Sequence, residues 1–224
     1  MPIEFLTKEQ RSHYGLFSGE PNDNQLARYF HLDNADISII NNRRWDHNRL
    51  GFALQLTTVR FLGTFLTDPT NVPPGVCAFV AHQIGDIDSG CLYKYLERKP
   101  TRYAHSTEIQ DRYGYHDFNG FAWRFKLSRI LYARSWISNE RPSVMFDFAT
   151  AWLIDNKVLL PGATTLSRLI SEIRERTNKR LWQRLATLPN DDHQFFDVTQ
   201  IGRSFRSAPS SELYFDVIRR NSTY

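Results

Sequence analysis

Residues 41–63, NNRRWDHNRLGFALQLTTVRFLG, constrain the fold more than any other stretch of this chain. Apolar residues recur there at helical spacing on two faces: Leu50, Ala53, Leu54 and Phe61 on one, and Phe52, Leu56 and Val59 on the other. A helix that is apolar on two faces lies in the interior of a helical bundle. Gly63 is a suitable C-terminal stop for it. The pattern therefore predicts a buried central helix from about His47 to Leu62.

Helix signals recur along the rest of the chain, whereas strand signals are almost absent. Thr7 with Gln10 has the spacing of a capping box, and the tandem prolines Pro73 and Pro74 suit the first turn of a helix. Further N-caps are expected at three positions: Asp33, Asp88 and Thr101. Longer helices are expected over about 118–137, after Pro142, over about 166–185, and in the tail sequence RSAPSSELYFDVIRR.

These signals together predict an all-α fold. The composition changes around GYHDFNG, which places a domain boundary near residue 118. Short helices joined by tight turns are typical of helix-turn-helix bundles. The expected architecture is therefore two consecutive small helical bundles of helix-turn-helix-like character, over residues 1–118 and 119–224.

Composition limits the classes of protein to consider. Of the 224 residues, 41% are hydrophobic and 23% are charged, which is typical of a globular protein. Polar residues interrupt every apolar run well short of a membrane span, and the acidic start MPIEFLTKEQ differs from a secretory signal. Two cysteines cannot form a disulfide framework. We therefore expect a cytoplasmic protein with no membrane partner.

The excess positive charge is concentrated in one segment. Residues 119–187 contain 12 Lys and Arg against 5 Asp and Glu, whereas residues 1–118 contain 12 against 14. Such a concentration is the electrostatic footprint of a nucleic-acid binder, although membranes and acidic proteins attract the same sign of charge.

The first candidate site is the start of the helix expected over 47–62. Helix N-termini carry unpaired N–H groups and a partial positive charge, so phosphate is favoured there. Five residues suited to phosphates or base edges occur at this start: Arg43, Arg44, His47, Asn48 and Arg49. The alternative is that Arg49 pairs with Asp46 or another acidic neighbour and that the others are simply solvated.

The second candidate is the segment LLPGATTLSRLISEIRERTNKRLW. It has an apolar stripe at helical spacing: Leu166, Leu169, Ile170, Ile173, Thr177 and Leu185. A Pro-Gly turn, the threonines Thr164 and Thr165 as caps, and Arg168 near the start are features of a recognition helix that enters a major groove. Lys179 and Arg180 add positive charge farther along the same helix.

A solvated surface is the alternative for this second segment. Glu172 precedes Arg176, and Glu175 precedes Lys179, by four residues, so both pairs could form weak ion pairs on a helix surface. The two glutamates would also repel phosphates. This favours the start of the helix over its middle as the part that contacts DNA.

The third candidate is the cationic, aromatic segment at 121–136. Four cations, Arg124, Lys126, Arg129 and Arg134, are interleaved there with five aromatic residues: Phe121, Trp123, Phe125, Tyr132 and Trp136. Aromatics that alternate with cations can stack on unpaired bases. The cations make no single stripe on a helix, however, and we expect most of the aromatic rings in the core because they bury much area. Duplex DNA is therefore the preferred partner over a single strand.

No catalytic, metal or cofactor site is expected. Four possible zinc ligands, Cys77, His82, Cys91 and His105, lack the usual metal-ligand spacings. The sequence contains no glycine-rich phosphate loop, no G-x-S-x-G elbow and no H-E-x-x-H motif. As given, the chain should bind a partner without performing chemistry.

Several motifs resemble one known family. The run RRWDHNRLGFALQLTTVRFLG is similar to the N-terminal region of Tn-three-family replicative transposases. Further similar motifs follow in the same order, among them VPPGVCAFVAHQIG, LYKYLERKPTRYAHSTEIQDRYGY and VLLPGATTLSRLISEIRERTNKRLWQRL. The resemblance covers nearly the whole chain.

This resemblance implies that the chain recognises the terminal inverted repeats of a transposon, as double-stranded DNA, through two consecutive helical modules. It also implies that the chemistry belongs to a ribonuclease-H-like domain elsewhere in a much longer protein. The rest of that transposase and a second protomer are the implied protein partners. Two alternatives stay open: a free-standing end-binding repressor of transposition, and a protein-interaction module whose aromatic helices dock onto other subunits.

Overall fold

The computed structural model describes residues 5–187. Ten α-helices occur in this part of the chain: α1 (Lys8–His13), α2 (Asp23–Tyr29), α3 (Asn34–Asn41), α4 (Asp46–Leu62), α5 (Pro74–Gln83), α6 (Leu92–Glu97), α7 (Lys99–Tyr113), α8 (Phe121–Ile137), α9 (Pro142–Asp155) and α10 (Ala163–Leu185). A 3-10 turn, Ser89–Cys91, precedes α6. Within these residues an isolated bridge between His116 and Val158 is the only β-type pairing. The all-α prediction is confirmed.

The described residues divide into two compact units. The α4 unit consists of residues 12–117 with 157–160, and the basic unit consists of 5–11, 118–156 and 161–187. The α4 unit contains 11 Lys and Arg against 12 Asp and Glu, whereas the basic unit contains 13 against 6. Both units are discontinuous in sequence, whereas the predicted modules, residues 1–118 and 119–224, are contiguous.

Helix α4 is the centre of the α4 unit. From Leu50 to Leu62 every side chain except that of Arg60 is buried, so the predicted central helix is confirmed. Helices α2, α3, α5, α6 and α7 all pack against it. Gly63 adopts the left-handed conformation, with φ of 73°, and ends the helix as expected.

Local sequence signals set most helix starts. Thr7 and Gln10 exchange the two hydrogen bonds of a capping box, and Asp33 caps α3 in the same reciprocal way with Asp36. Thr101 does not cap α7, contrary to expectation. The helix begins at Lys99, two residues before Thr101, because Pro100 already has the backbone angle of a first helical turn.

In the basic unit, α8, α9 and α10 pack against one another. The expected apolar stripe of α10 is buried from Leu166 to Thr177, but Leu185 is exposed. Helix α10 begins at Ala163 after Gly162, and no side chain caps it. Thr164 and Thr165 therefore lie inside the first turn, and their predicted capping role is wrong.

Two expectations lie beyond these observations. The tail helix in RSAPSSELYFDVIRR falls outside the described residues, and the helix-turn-helix character of the units stays a prediction. Among the described helices, none has the length and apolar character needed to cross a lipid bilayer.

Candidate nucleic-acid interface

The arginines at the start of α4 have different environments. Arg43 Nη2 lies 2.8 Å from Glu108 Oε2 on α7, and only 13% of the Arg43 side chain is exposed. Its guanidinium also lies 3.6 Å from the ring centroid of Phe52. Burial tends to raise the pKa of Glu108, but the hydrogen bond and charge of Arg43 outweigh burial and hold it below the ordinary value. Arg43 therefore joins α4 to α7 inside the α4 unit.

Arg49 is also used internally. Its Nη1 lies 3.3 Å from Asp46 Oδ1, and its Nη2 donates to the Ile84 carbonyl oxygen at 3.1 Å and to Asn41 Oδ1. The alternative pairing of Arg49 with Asp46 is therefore confirmed. Arg49 connects α4 with the preceding helix and with the end of α5.

Arg44 is directed to solvent instead. It is exposed, and the described residues offer its guanidinium no ion-pair partner. The side chain of Asn48 donates to the Arg44 carbonyl oxygen at 3.0 Å, and His47 is half-buried in the first turn. Trp45, which follows Arg44 in sequence, has φ of 71° and a side chain that is 69% exposed. Of the five predicted residues here, Arg44 is the one best placed to meet a phosphate.

Three of the four cations of α8 are exposed, as a DNA-binding surface requires; the fourth, Arg134, is half-buried, and its Nε lies 2.6 Å from Glu140 Oε2. Arg124, Lys126 and Arg129 all lie on the surface, and the 17 residues of α8 include no Asp or Glu. Phosphate groups would therefore meet no repulsion from this helix.

The aromatic residues of α8 are not in the core, so that expectation is wrong. Phe121 is 83% exposed, Phe125 50% and Trp136 38%, while Trp123 and Tyr132 are half-buried. The helix buries Leu127 and Leu131 in their place. These two leucines are one turn apart and form the face that packs on the neighbouring helices, so most of the rings fall on the other side.

The predicted residues of α10 lie on its surface. Thr164, Arg168, Lys179 and Arg180 are exposed, and Thr165 is half-buried. Arg180 Nη1 donates to Tyr132 Oη at 3.1 Å, which joins α10 to α8.

The ion pairing on α10 differs from the expected pattern. The pair that occurs is Arg168 with Glu172, at 3.9 Å between Nε and Oε1, and both side chains are more than half exposed. The described residues contain no pair of Glu172 with Arg176 or of Glu175 with Lys179. A long ion pair in solvent contributes little, so Arg168 remains available to a ligand.

The two units differ in how their positive charge is neutralised. In the α4 unit, arginines pair with partly or fully buried carboxylates, as in Arg43 with Glu108 and Arg60 with Asp36. Within residues 118–187 of the basic unit, eight exposed cations have no carboxylate partner: Arg124, Lys126, Arg129, Arg141, Arg176, Lys179, Arg180 and Arg184. More uncompensated cations therefore lie on the basic unit than on the α4 unit, where Arg44, Arg98 and Lys99 are also exposed without an ion pair among the described residues.

Three of these cations, Arg141, Arg176 and Arg184, were not among the predicted contact residues. Arg184 has no acidic residue three or four positions away, which is a usable signal in the sequence. Arg176 follows Glu172 by four residues, so the sequence alone suggested a neutralised side chain.

Comparison with known proteins places the chain in a family. The family described as "Domain of unknown function (DUF4158)" matches residues 5–173. The transposase for transposon gamma-delta of Escherichia coli (strain K12) is 63% identical over 190 residues, which are 85% of this chain and 19% of that protein. The transposase for transposon Tn1546 of Enterococcus faecium is 32% identical over 195 residues, with the same two shares.

A third relative, the transposase for transposon Tn501 of Pseudomonas aeruginosa, is 29% identical over 169 residues, which are 75% of this chain and 17% of that protein. The chain thus spans about a fifth of the length of the curated relatives it matches. The resemblance to the N-terminal region of Tn-three-family transposases is confirmed, and the chain belongs to the DUF4158 family.

Proposed function

We propose that this chain binds the terminal inverted repeats of a transposon as double-stranded DNA, and that it is the non-catalytic, end-recognising part of a transposase. The observation that carries the proposal is the set of exposed cations on the basic unit that have no carboxylate partner. The names of the relatives point to the same process.

Phosphate is the chemical group that best matches this surface. Uncompensated arginines and lysines keep their full charge for an external anion, whereas a paired arginine must first lose its partner. Duplex DNA presents a regular row of phosphates, and neutralising them releases condensed counterions. The cations of α8 and α10 would therefore supply most of the affinity, independently of sequence.

Sequence recognition requires contacts with base edges, and the start of α10 is the best candidate for them. Arg168 is exposed in the second turn, and a guanidinium can donate two hydrogen bonds to guanine. Farther along, Glu172 and Glu175 would repel the phosphates that line a groove. The first two turns of α10 would thus enter the groove while its middle stays outside.

The α4 unit would add a second, smaller contact through Arg44, with His47 beside it. Arg43 and Arg49 would hold the start of α4 in place for that contact without touching DNA themselves.

The relatives are about five times longer than the matched region, so the remaining partners would belong to the longer protein. Catalysis would lie in the rest of the transposase, which with a second protomer would be the protein partner. Because these relatives come from bacteria, the site of action would be the cytoplasm, on the bacterial chromosome.

The proposal is tested by footprinting and fluorescence anisotropy with terminal-repeat duplex and a scrambled duplex of equal length. We expect protection of the repeat, and a log K that falls linearly with log salt concentration by about 0.9 per phosphate neutralised. Equal affinity for both duplexes with no salt dependence would overturn the proposal.

A matched pair of variants locates the contact. The double variant Arg176→Ala/Lys179→Ala removes two uncompensated cations from the basic unit, and should reduce the salt slope by roughly two. Arg98→Ala/Lys99→Ala removes the same charge from exposed positions of the α4 unit, and should change the slope much less. A larger decrease of the salt slope for Arg98→Ala/Lys99→Ala than for Arg176→Ala/Lys179→Ala would place the main contact on the α4 unit.

A further inference from the structure

We propose that the exposed aromatic face of α8 is a second nucleic-acid site, which binds the unpaired bases of single-stranded DNA. We call it the Phe121/Phe125 platform, after the two rings that form it. This site shares the cations of α8 with the proposed duplex contact, and its two rings add a contact with bases that a duplex hides.

The geometry of the two rings is that of a base-stacking surface. Their centroids are 5.6 Å apart and their planes differ by 12°, so the rings are stacked nearly parallel. Phe121 is 83% exposed and Phe125 50% exposed. The open face of Phe121 can therefore receive one more flat ring and extend the stack, as aromatic side chains do in single-strand binders.

The helix that carries the platform also carries cations and no carboxylate. The Arg129 guanidinium lies 5.9 Å from the ring centroid of Phe125, and the ammonium group of Lys126 lies 4.2 Å from that of Trp123. No acidic residue occurs in α8. A nucleotide has the complementary parts, namely a flat base for the rings and a phosphate for the cations.

Other occupants match these observations less well. In duplex DNA the bases stack on each other and expose only their edges, so the flat face of Phe121 gains nothing from them. A protein partner would have to supply several carboxylates, because burying the cations unpaired is costly. An anionic membrane offers phosphates and apolar tails but no flat rings to extend the stack.

The test measures binding of the whole chain to a labelled oligothymidylate by fluorescence anisotropy. The double variant Phe121→Ala/Phe125→Ala should bind it about tenfold more weakly, since base stacking on an aromatic side chain contributes that much or more. Both rings are largely exposed, so circular dichroism should show unchanged helix content. The matched control is Tyr103→Ala, which removes a ring that is 71% exposed on α7 and should leave the affinity unchanged.

Two further ligands separate the explanations. An abasic oligonucleotide with the same phosphates should bind the wild-type chain and the double variant equally, because it has no ring to stack. Vesicles of anionic phospholipid should bind the wild-type chain and the double variant equally. The proposal is overturned if oligothymidylate affinity is unchanged in the double variant, if Tyr103→Ala causes the same loss, or if vesicle binding alone depends on the platform.

This result is independent of the proposed duplex function. The double variant should bind terminal-repeat duplex as the wild-type chain does, since neither phenylalanine is a proposed duplex contact. If the wild-type chain does not bind the duplex, the proposed function is wrong and the platform proposal stands. If the double variant binds oligothymidylate as tightly as the wild-type chain, the platform proposal is wrong and the proposed function stands.

Discussion

The Arg43 guanidinium lies against Glu108, with 2.8 Å between Nη2 and Oε2, while the next side chain in sequence, Arg44, extends into solvent. Two adjacent arginines of one basic motif thus have different roles. Arg43 contributes to the stability of the α4 unit, and Arg44 is available to an external anion.

Exchanging each arginine for alanine should separate these roles. Arg43→Ala removes the partner of Glu108 and the contact with Phe52, and should lower the free energy of unfolding by about 1–2 kcal/mol, because Glu108 remains partly solvated. Arg44→Ala should leave the free energy of unfolding unchanged and weaken binding to repeat and scrambled duplex alike. Urea denaturation and anisotropy measure the two effects. Equal stability losses in the two variants would contradict this division.

Arg168→Ala tests the assignment of sequence recognition to the start of α10. Removal of a bidentate contact to a base should reduce the ratio of repeat to scrambled affinity by about tenfold, with a smaller effect on the scrambled duplex. Lys179→Ala is the control on the same face, and it should weaken both duplexes equally. Equal loss of both affinities in Arg168→Ala would assign Arg168 to the phosphate backbone instead.

Gly51→Ala tests the packing of α4. A Cβ atom at position 51 would lie 2.6 Å from three ring carbons of Tyr95, which is 1% exposed and has no room to move. The resulting strain should exceed the gain in helix propensity and lower the free energy of unfolding by about 1–2 kcal/mol. Gly162→Ala is the control, because nothing lies within 4 Å of the added atom. An unchanged free energy of unfolding in Gly51→Ala would show that Tyr95 and α6 can shift away from α4 without cost.

The buried His105 should make stability depend on pH. Burial, with a smaller effect from the Arg43 charge, lowers the pKa of His105 from 6.5 to about 4. The neutral ring lies 2.7 Å, through Nδ1, from the Tyr95 hydroxyl, which accepts a hydrogen bond from Gln55 Nε2 at 2.9 Å. Because the unfolded chain binds a proton more readily, this stabilisation is complete above pH 6.5 and is lost as the pH falls towards 4.

The expected loss over that interval is about 3 kcal/mol. His105→Gln keeps an acceptor for the Tyr95 hydroxyl but does not titrate. Urea denaturation from neutral to acidic pH should therefore give a flatter profile for the variant over this window. Parallel profiles for the two proteins would show that His105 is solvated.

Asp36 should produce a second, more acidic transition. Burial favours the neutral acid, but hydrogen bonds from Arg60, at 2.9 Å to each carboxylate oxygen, and from Tyr113 at 2.6 Å outweigh it and hold the pKa below 3.8. The stabilisation is present above the ordinary pKa and is lost as the pH falls through the folded one. Asp36→Asn should lower the free energy of unfolding by about 2–3 kcal/mol at neutral pH.

The difference between wild-type and Asp36→Asn proteins should stay constant through the mildly acidic range and shrink only below about pH 4, where the wild-type carboxylate is protonated. Urea denaturation at a series of pH values measures it. A difference that shrinks already at pH 6 would assign the transition to another group.

Local patterns in the sequence predicted the helices well. The two apolar faces of residues 50–61 identified α4, and the prolines Pro74 and Pro142 marked the starts of α5 and α9. The Thr7–Gln10 capping box marked α1, and the N-cap Asp33 marked α3. Each of these signals acts within a few residues, so it can be recognised without knowledge of the tertiary structure. Thr101 was misjudged because Pro100 starts the helix first.

The candidate interface was less predictable, because exposure and ion pairing depend on residues that are far apart in sequence. Arg43 and Glu108 are 65 positions apart, so no local pattern indicates that this arginine is neutralised. The aromatic residues of α8 were expected in the core because large rings bury much area, yet α8 buries Leu127 and Leu131 instead.

The sequence by itself determined the all-α class, the buried central helix and the segment that carries the excess charge, since these depend on composition and short-range periodicity. The resemblance of its motifs indicated the family. Only the tertiary structure decided which cations are compensated and which rings face water. The reason is physical: whether a charge is neutralised or a ring is desolvated depends on which distant side chains the fold brings within a few ångströms of it.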